Sequence, residues 1–250
     1  MQVLQVLVDR ERFRQIRANA PKLRTLEHLF REASLATPRV DLVVLPAGYL
    51  TAATQQAVSV CAAAVAKLAK RHGVAVVFGV DLPRAKGKGD ERARVRRVAR
   101  GRIPYWGFAL DKTGAVLGQW RQQSMRSKDI RIAPQFNAGQ RLVQIAGKAV
   151  AVMVCGEIFN ARYRDQMRAE NFDVVIDIGH ESMATGVVPA LANIVDGHSR
   201  WALHSHHVKV GTAQAHAIEP GGQNAGVRST GAWREVPSGG WRVFTTTRSV

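Results

Sequence analysis

The chain has 250 residues, 46% of them apolar, and a formal net charge of +17. That length suits one large domain or two small ones, and the composition excludes a disordered or fibrous chain and supplies enough apolar material for a sizeable core. No apolar run approaches the ~18 residues that cross a bilayer, the start MQVLQVLVDRERF lacks the three-part pattern of a secretion signal, and two cysteines, Cys61 and Cys155, make no disulfide framework, so a cytoplasmic protein with no membrane partner is expected.

Residues 2–8, QVLQVLV, read as a strand. PKLRTLEHLFREA reads as a helix, with Pro21 suited to its first position and Leu23, Leu26, Phe30 and Ala33 on one face. VDLVVLPAG is a short, nearly all-apolar strand of the kind buried on both faces. TAATQQAVSVCAAAVAKLAKRHG is a helix stopped by Gly73, and Cys61 lies on its apolar stripe with Val58, Ala62, Val65 and Leu68, so packing explains that thiol. VAVVFGV is another buried strand.

The segment 84–102, RAKGKGDERARVRRVARGR, holds nine Lys or Arg against Asp90 and Glu91 and reads as a disordered or inserted loop. Two meanings stay open. Arg84, Lys86, Lys88, Arg92, Arg94, Arg96 and Arg97 could hold the phosphates of a nucleic acid or another polyanion, or the run is a solvated face of a basic protein. No aromatic residue interleaves it to stack bases.

PYWGFALDKTGAVLGQW reads as a hairpin turning at Asp111–Gly114, and RLVQIAGKAVAVMVC as a second turning at Ala146–Lys148. ARYRDQMRAEN reads as a short helix, FDVVIDIG as a strand and VPALANIVDGHSRWALHSH as a helix. The last forty residues, rich in Gly, Ser and Thr, give no clear element. Strands and helices alternate first and hairpins occupy the middle, which indicates an α/β layered fold with a mixed sheet. No composition break marks a boundary, so residues 1–250 are read as one domain.

In AVMVCGEIFN a buried strand ends at Cys155-Gly156 and a helix is expected from near Asn160. A sharp strand-to-helix turn presents a side chain at a sheet end and favours a thiolate there. A small, apolar thiol buried by packing fits the local pattern equally well. The histidines His198, His204, His206 and His207 raise the question of a metal, with His204 and His207 sharing a face if the segment is helical. No carboxylate or cysteine completes a site at familiar spacing, and no metal is expected.

Four blocks, in order over roughly residues 41–215, resemble the nitrilase superfamily of carbon–nitrogen hydrolases. DLVVLPAGY resembles the block that carries Pro-Glu, YWGFALDKTGAVLGQWRQ the hairpin ending in Tyr-Arg-Lys, FNAGQRLVQIAGKAVAVMVCGEIFN the block leading to the nucleophilic cysteine, and NFDVVIDIGHESM the strand after it. The resemblance implies a four-layer αββα sandwich with mixed sheets that pairs into homodimers. It also implies a Glu–Lys–Cys triad that cleaves small amides or nitriles through a thioester, without a cofactor.

Carried over position by position, the cysteine is Cys155, but Ala47 stands for the glutamate and Gln122 for the lysine, and Lys128 lies six residues too far on. A lost base typically costs about 10²–10⁴ in rate, and a lost charge-stabilising donor about 10²–10³. The resemblance therefore implies a pseudoenzyme used for binding or assembly. The alternative is a hydrolase acting through Cys155 with a base of its own. Glu157, two residues on, would share a face with Cys155 in an extended stretch. His180, at the end of the neighbouring strand, would make a Cys–His pair oriented by Glu181.

Overall fold

Apolar side chains alternate along the strands and need partners on both faces, and the architecture follows from that need. The computed structural model describes residues 1–83, 91–181, 184–208, 214–228, 234–235 and 241–250. In chain order the first half comprises β1 (Gln2–Asp9), α1 (Arg10–Gln15), α2 (Asn19–Leu35), β2 (Leu42–Val44), β3 (Leu50–Thr51), α3 (Gln55–His72), β4 (Ala75–Asp81), α4 (Glu91–Ala99), β5 (Tyr105–Leu110) and β6 (Val116–Arg121). The second comprises β7 (Leu142–Ile145), β8 (Lys148–Val154), α5 (Ala161–Ala169), β9 (Val174–Ile178), α6 (Ala184–Val195), β10 (Trp201–Ser205), β11 (His207–Val208), β12 (Gln214–Ile218), β13 (Val227–Arg228), β14 (Arg234–Glu235) and β15 (Arg242–Ser249).

Two mixed sheets result. The first runs β14-β15-β1-β2-β4-β5-β6, with β11 pairing β1 and β3 pairing β4. The second runs β13-β12-β10-β9-β8-β7. Each has three parallel strands at its centre, β1-β2-β4 and β8-β9-β10, flanked by antiparallel ones. Parallel neighbours need crossover connections, and these are α2 and α3 in one sheet and α5 and α6 in the other.

The clusters of buried side chains define four layers. Val76, Phe78 and Val80 of β4 pack with Leu26, Leu29 and Val65 of the first helix layer. Ala151 and Met153 of β8 pack with Tyr163, Leu191 and Ile194 of the second. The other face of each strand, Val77 of β4, Val150, Val152 and Val154 of β8, and Val174, Ile176 and Ile178 of β9, meets between the sheets. The order is helices, sheet, sheet, helices, the αββα sandwich expected from the sequence.

Four elements depart from expectation. Helix α2 begins at Asn19, ahead of Pro21; its first-turn N–H groups have no intrahelical acceptor, so a proline costs nothing there. Residues 91–99 of the basic segment form α4 rather than a loop, because Arg94 and Val98 are buried beneath it; residues 84–90 lie outside the described ones. The helix expected across VPALANIVDGHSRWALHSH ends at Val195, before Gly197 with its φ of 71°, and Trp201–Ser205 is instead β10, paired with β9 and β12. His204 and His207 therefore lie on strands, not on one helix face. Finally, a five-residue 3₁₀ turn, Cys155–Phe159, separates β8 from α5.

Candidate active site

The strand ends build the site. Along β4 the residues facing the second sheet are Ala75, Val77 and Gly79, and the same alternation carries Asp81 inward at the last position. Along β9, Val174, Ile176 and Ile178 face inward and His180 follows on that parity. β8 lies beside β9 in register, Val154 opposite Ile178, and Cys155 is the next residue. Three side chains from two sheets thus converge at one end of the sandwich.

The contacts are direct. His180 Nδ1 lies 3.1 Å from Cys155 Sγ. On the other side of the ring, Nε2 lies 2.8 Å from Asp81 Oδ2 and 3.0 Å from Oδ1. The imidazole is mostly covered, its side chain 15% exposed, with the Tyr105 ring 4.4 Å away and the His207 ring parallel to it at 6.4 Å. Burial opposes a charge on His180, but the Asp81 carboxylate and then Cys155 outweigh it and hold its pKa well above the ordinary imidazole value. A base between a thiol and a carboxylate is the arrangement that activates a thiol.

Cys155 has a φ of 52°, a left-handed conformation that costs a residue with a Cβ of order 1 kcal/mol. The chain turns sharply there, lifting Sγ out of the strand's alternation. Gly156 permits the turn, since a Cβ at that position would run into the backbone of Met125. Gly48 has a φ of 65°, and a Cβ on it would lie 2.7 Å from Asp81 Oδ2, so only glycine leaves room for that carboxylate.

The other expected residues have different surroundings. Glu157 is not on an extended stretch beside Cys155 but within the 3₁₀ turn, fully buried. Its Oε1 accepts from Arg141 at 2.7 Å and from the Gln123 N–H at 2.8 Å, and its Oε2 from the Val154 N–H at 2.9 Å. Burial pushes its pKa up, opposed by Arg141 and those N–H groups. Glu181 does not orient His180; it pairs with Arg10 at 2.5 Å, and Asp81 takes the orienting position.

Ala47 is buried, and its carbonyl accepts from His207 Nε2 at 2.7 Å. Gln122 is also buried, its Nε2 donating to the Ser124 carbonyl at 2.6 Å. Lys128 pairs with Glu91 at 2.6 Å. Among the residues expected to bind polyanions, Arg94 is buried against Asp129 and Glu91, which removes it from any binding surface. Arg92 and Arg96 are exposed on α4, Arg97 partly so, and Arg84, Lys86 and Lys88 lie outside the described residues. Among the described residues no group of three or more His, Cys, Asp and Glu could hold a metal ion, and no helix is long and apolar enough to cross a membrane.

No protein-family model matches the chain, and no curated protein matches it. Solved structures do. A Cys→Ala mutant of the Nesterenkonia AN1 amidase from the nitrilase superfamily aligns over 98% of this chain and 90% of its own, at 13% identity and a TM-score of 0.65. A CN-hydrolase superfamily protein from Xanthomonas campestris, with an arsenic adduct in its active site, aligns over 100% and 90%, at 15% identity and a TM-score of 0.64. A Glu→Gln mutant of the Nesterenkonia sp. AN1 amidase, showing Michael addition of acrylamide at the active-site cysteine, aligns over 97% and 92%, at 14% and 0.60. At such identities the likeness is one of fold, and this chain has the nitrilase-type αββα fold.

Proposed function

We propose that this protein is a thiol-dependent hydrolase that cleaves the carbon–nitrogen bond of a small amide through Cys155, His180 and Asp81. The observation that carries the reading is the continuous contact from Cys155 Sγ through the His180 ring to the Asp81 carboxylate. This reading is preferred to that of a pseudoenzyme, which rests on Ala47 and Gln122, because a histidine base supplies what the carboxylate missing at Ala47 would have done.

In the proposed cycle the Cys155 proton resides on His180 Nδ1, and Asp81 balances the imidazolium charge. The thiolate attacks the amide carbon and the C–S bond forms as the carbonyl π electrons move to oxygen. The tetrahedral adduct collapses, the C–N bond breaks, and the nitrogen leaves with the Nδ1 proton. The resulting thioester is attacked by a water that gives its proton to the now neutral Nδ1. Loss of the sulfur, which takes that proton back, yields the carboxylic acid and free thiol. The fold's likeness to amidases supports an amide over other acyl compounds.

The test is to incubate the protein with a panel of short aliphatic amides, measure ammonia release, and trap the acyl-enzyme by intact mass. The expected result is turnover together with a mass increase equal to the acyl group on the peptide containing Cys155. No ammonia and no adduct across the panel would leave the non-catalytic reading standing.

A further inference from the structure

We infer that the cleft beside Arg141, separate from Cys155, is a binding site for the phosphate group of a small phosphate monoester. The cleft, of about 490 Å³, opens between the end of α4, the end of β6 and the segment 134–141. Arg100, Arg121 and Arg141 all line it, and among the described residues no carboxylate does.

Two buried polar atoms there lack partners. Arg141 is 3% exposed. Its Nη2 is engaged by Glu157, but its Nη1 is buried without an acceptor. The Gln123 side-chain oxygen, also on the cleft, is buried without a donor. Native folds rarely leave a guanidinium N–H unsatisfied, and an oxyanion is the acceptor that guanidinium geometry fits best. Both atoms are covered beneath the cleft surface, so a phosphate monoester seated there meets them as the Arg141 and Gln123 side chains turn outward, with oxygens for Arg141 and a hydroxyl, on its singly protonated form or its alcohol part, for Gln123.

Charge selects phosphate over carboxylate. Three guanidinium charges less the one matched by Glu157 leave two, and a phosphate monoester carries about −1.5 to −2 near neutral pH. Arg121 is already crowded: burial, then the neighbouring Arg102, push its pKa down. An anion relieves that crowding. The end of α4 does not repel it, because the carbonyls of Arg96, Arg97 and Val98 already accept from the N–H groups of Arg100, Arg102 and Gly101.

The test uses inorganic phosphate as the probe, with acetate at matched ionic strength, on the full chain by calorimetry. Arg141→Gln would unpair Glu157, so the variants are Arg100→Glu and Arg121→Gln, with Arg96→Glu on the exposed face of α4 as the charge control. The expected result is saturable phosphate binding, weaker acetate binding, and a loss of at least about tenfold in affinity for Arg100→Glu and Arg121→Gln but not for Arg96→Glu. No saturable binding at millimolar phosphate would overturn the inference. So would equal losses in Arg96→Glu and Arg100→Glu, which would reduce it to overall charge. The outcome is independent of whether Cys155 is reactive.

Discussion

Two carboxylates lie close to the Cys155 turn, and they differ in what holds them. Glu157 is fully buried, its oxygens taken by Arg141 and two backbone N–H groups of the segments it ties together. Asp81 is partly open, its side chain 22% exposed, and both its oxygens face His180. A carboxylate saturated by fixed donors holds a turn in shape. One whose partner is an imidazole in contact with a thiol can follow a proton's movement. Sequence proximity to the cysteine would choose Glu157; geometry chooses Asp81.

Mutations can break or sharpen that contrast. The largest effect is expected at His180. Under the proposed function, His180→Asn should cost about 10²–10⁴ in amide hydrolysis, measured as kcat/KM per folded molecule. Asp81→Asn should lower the same rate in the same direction but by less, because the base remains and loses its orientation and charge balance. Glu157→Gln should act oppositely. It unpairs buried Arg141 and should cost about 3–5 kcal/mol of stability in urea titrations, while the folded fraction keeps the pH profile of Cys155. An equal catalytic loss per folded molecule in Glu157→Gln and Asp81→Asn would erase the distinction between the two carboxylates.

Gly48→Ala should show both effects weakly. The left-handed backbone costs roughly 1–2 kcal/mol, and the new methyl displaces Asp81 from His180.

The smallest effect concerns pH and stability. His206 and His216 are buried in a stack with His204, the ring centroids of His206 and His216 being 5.1 Å apart. Burial, then neighbouring His204, lowers the His216 pKa from 6.5 to about 4, and burial lowers that of His206 well below its ordinary value. A histidine with a depressed folded-state pKa binds more protons when unfolded, so its stabilisation is present above pH 6.5 and is lost as pH falls towards about 4. His180 has the opposite sign. Its raised pKa contributes stability that is full below pH 6.5 and lost as pH rises through the folded value. Urea midpoints from pH 7 down to 4.5 should fall, and His216→Gln should flatten that fall.

Much of the architecture was readable because it rests on local patterns. The nearly all-apolar runs at β2 and β4 specified buried strands, and Gly73 marked the end of α3. His180 could be found because it ends a strand next to the cysteine's own. Asp81 was missed because it comes from the other sheet, 99 residues away. The signal was present: a charged residue closes a strand whose alternate positions, Ala75, Val77 and Gly79, face inward. Glu181 was the wrong partner for a related reason, since successive residues of an extended chain point opposite ways. Arg94 looked like one more charge of a solvated run, and only its partner Asp129, 35 residues on, marks it as buried.

The most direct measurement is the rate of Cys155 alkylation by acrylamide as a function of pH, read by mass spectrometry in the native protein and in His180→Asn, with Cys61 as the internal reference. The account predicts that Cys155 of the native protein reacts well below pH 8 and that His180→Asn moves its profile to that of an ordinary thiol, near pH 8.5. Superimposable profiles in the two proteins would mean that the Cys155–His180 contact does not activate the thiol, and the account would be wrong at its centre.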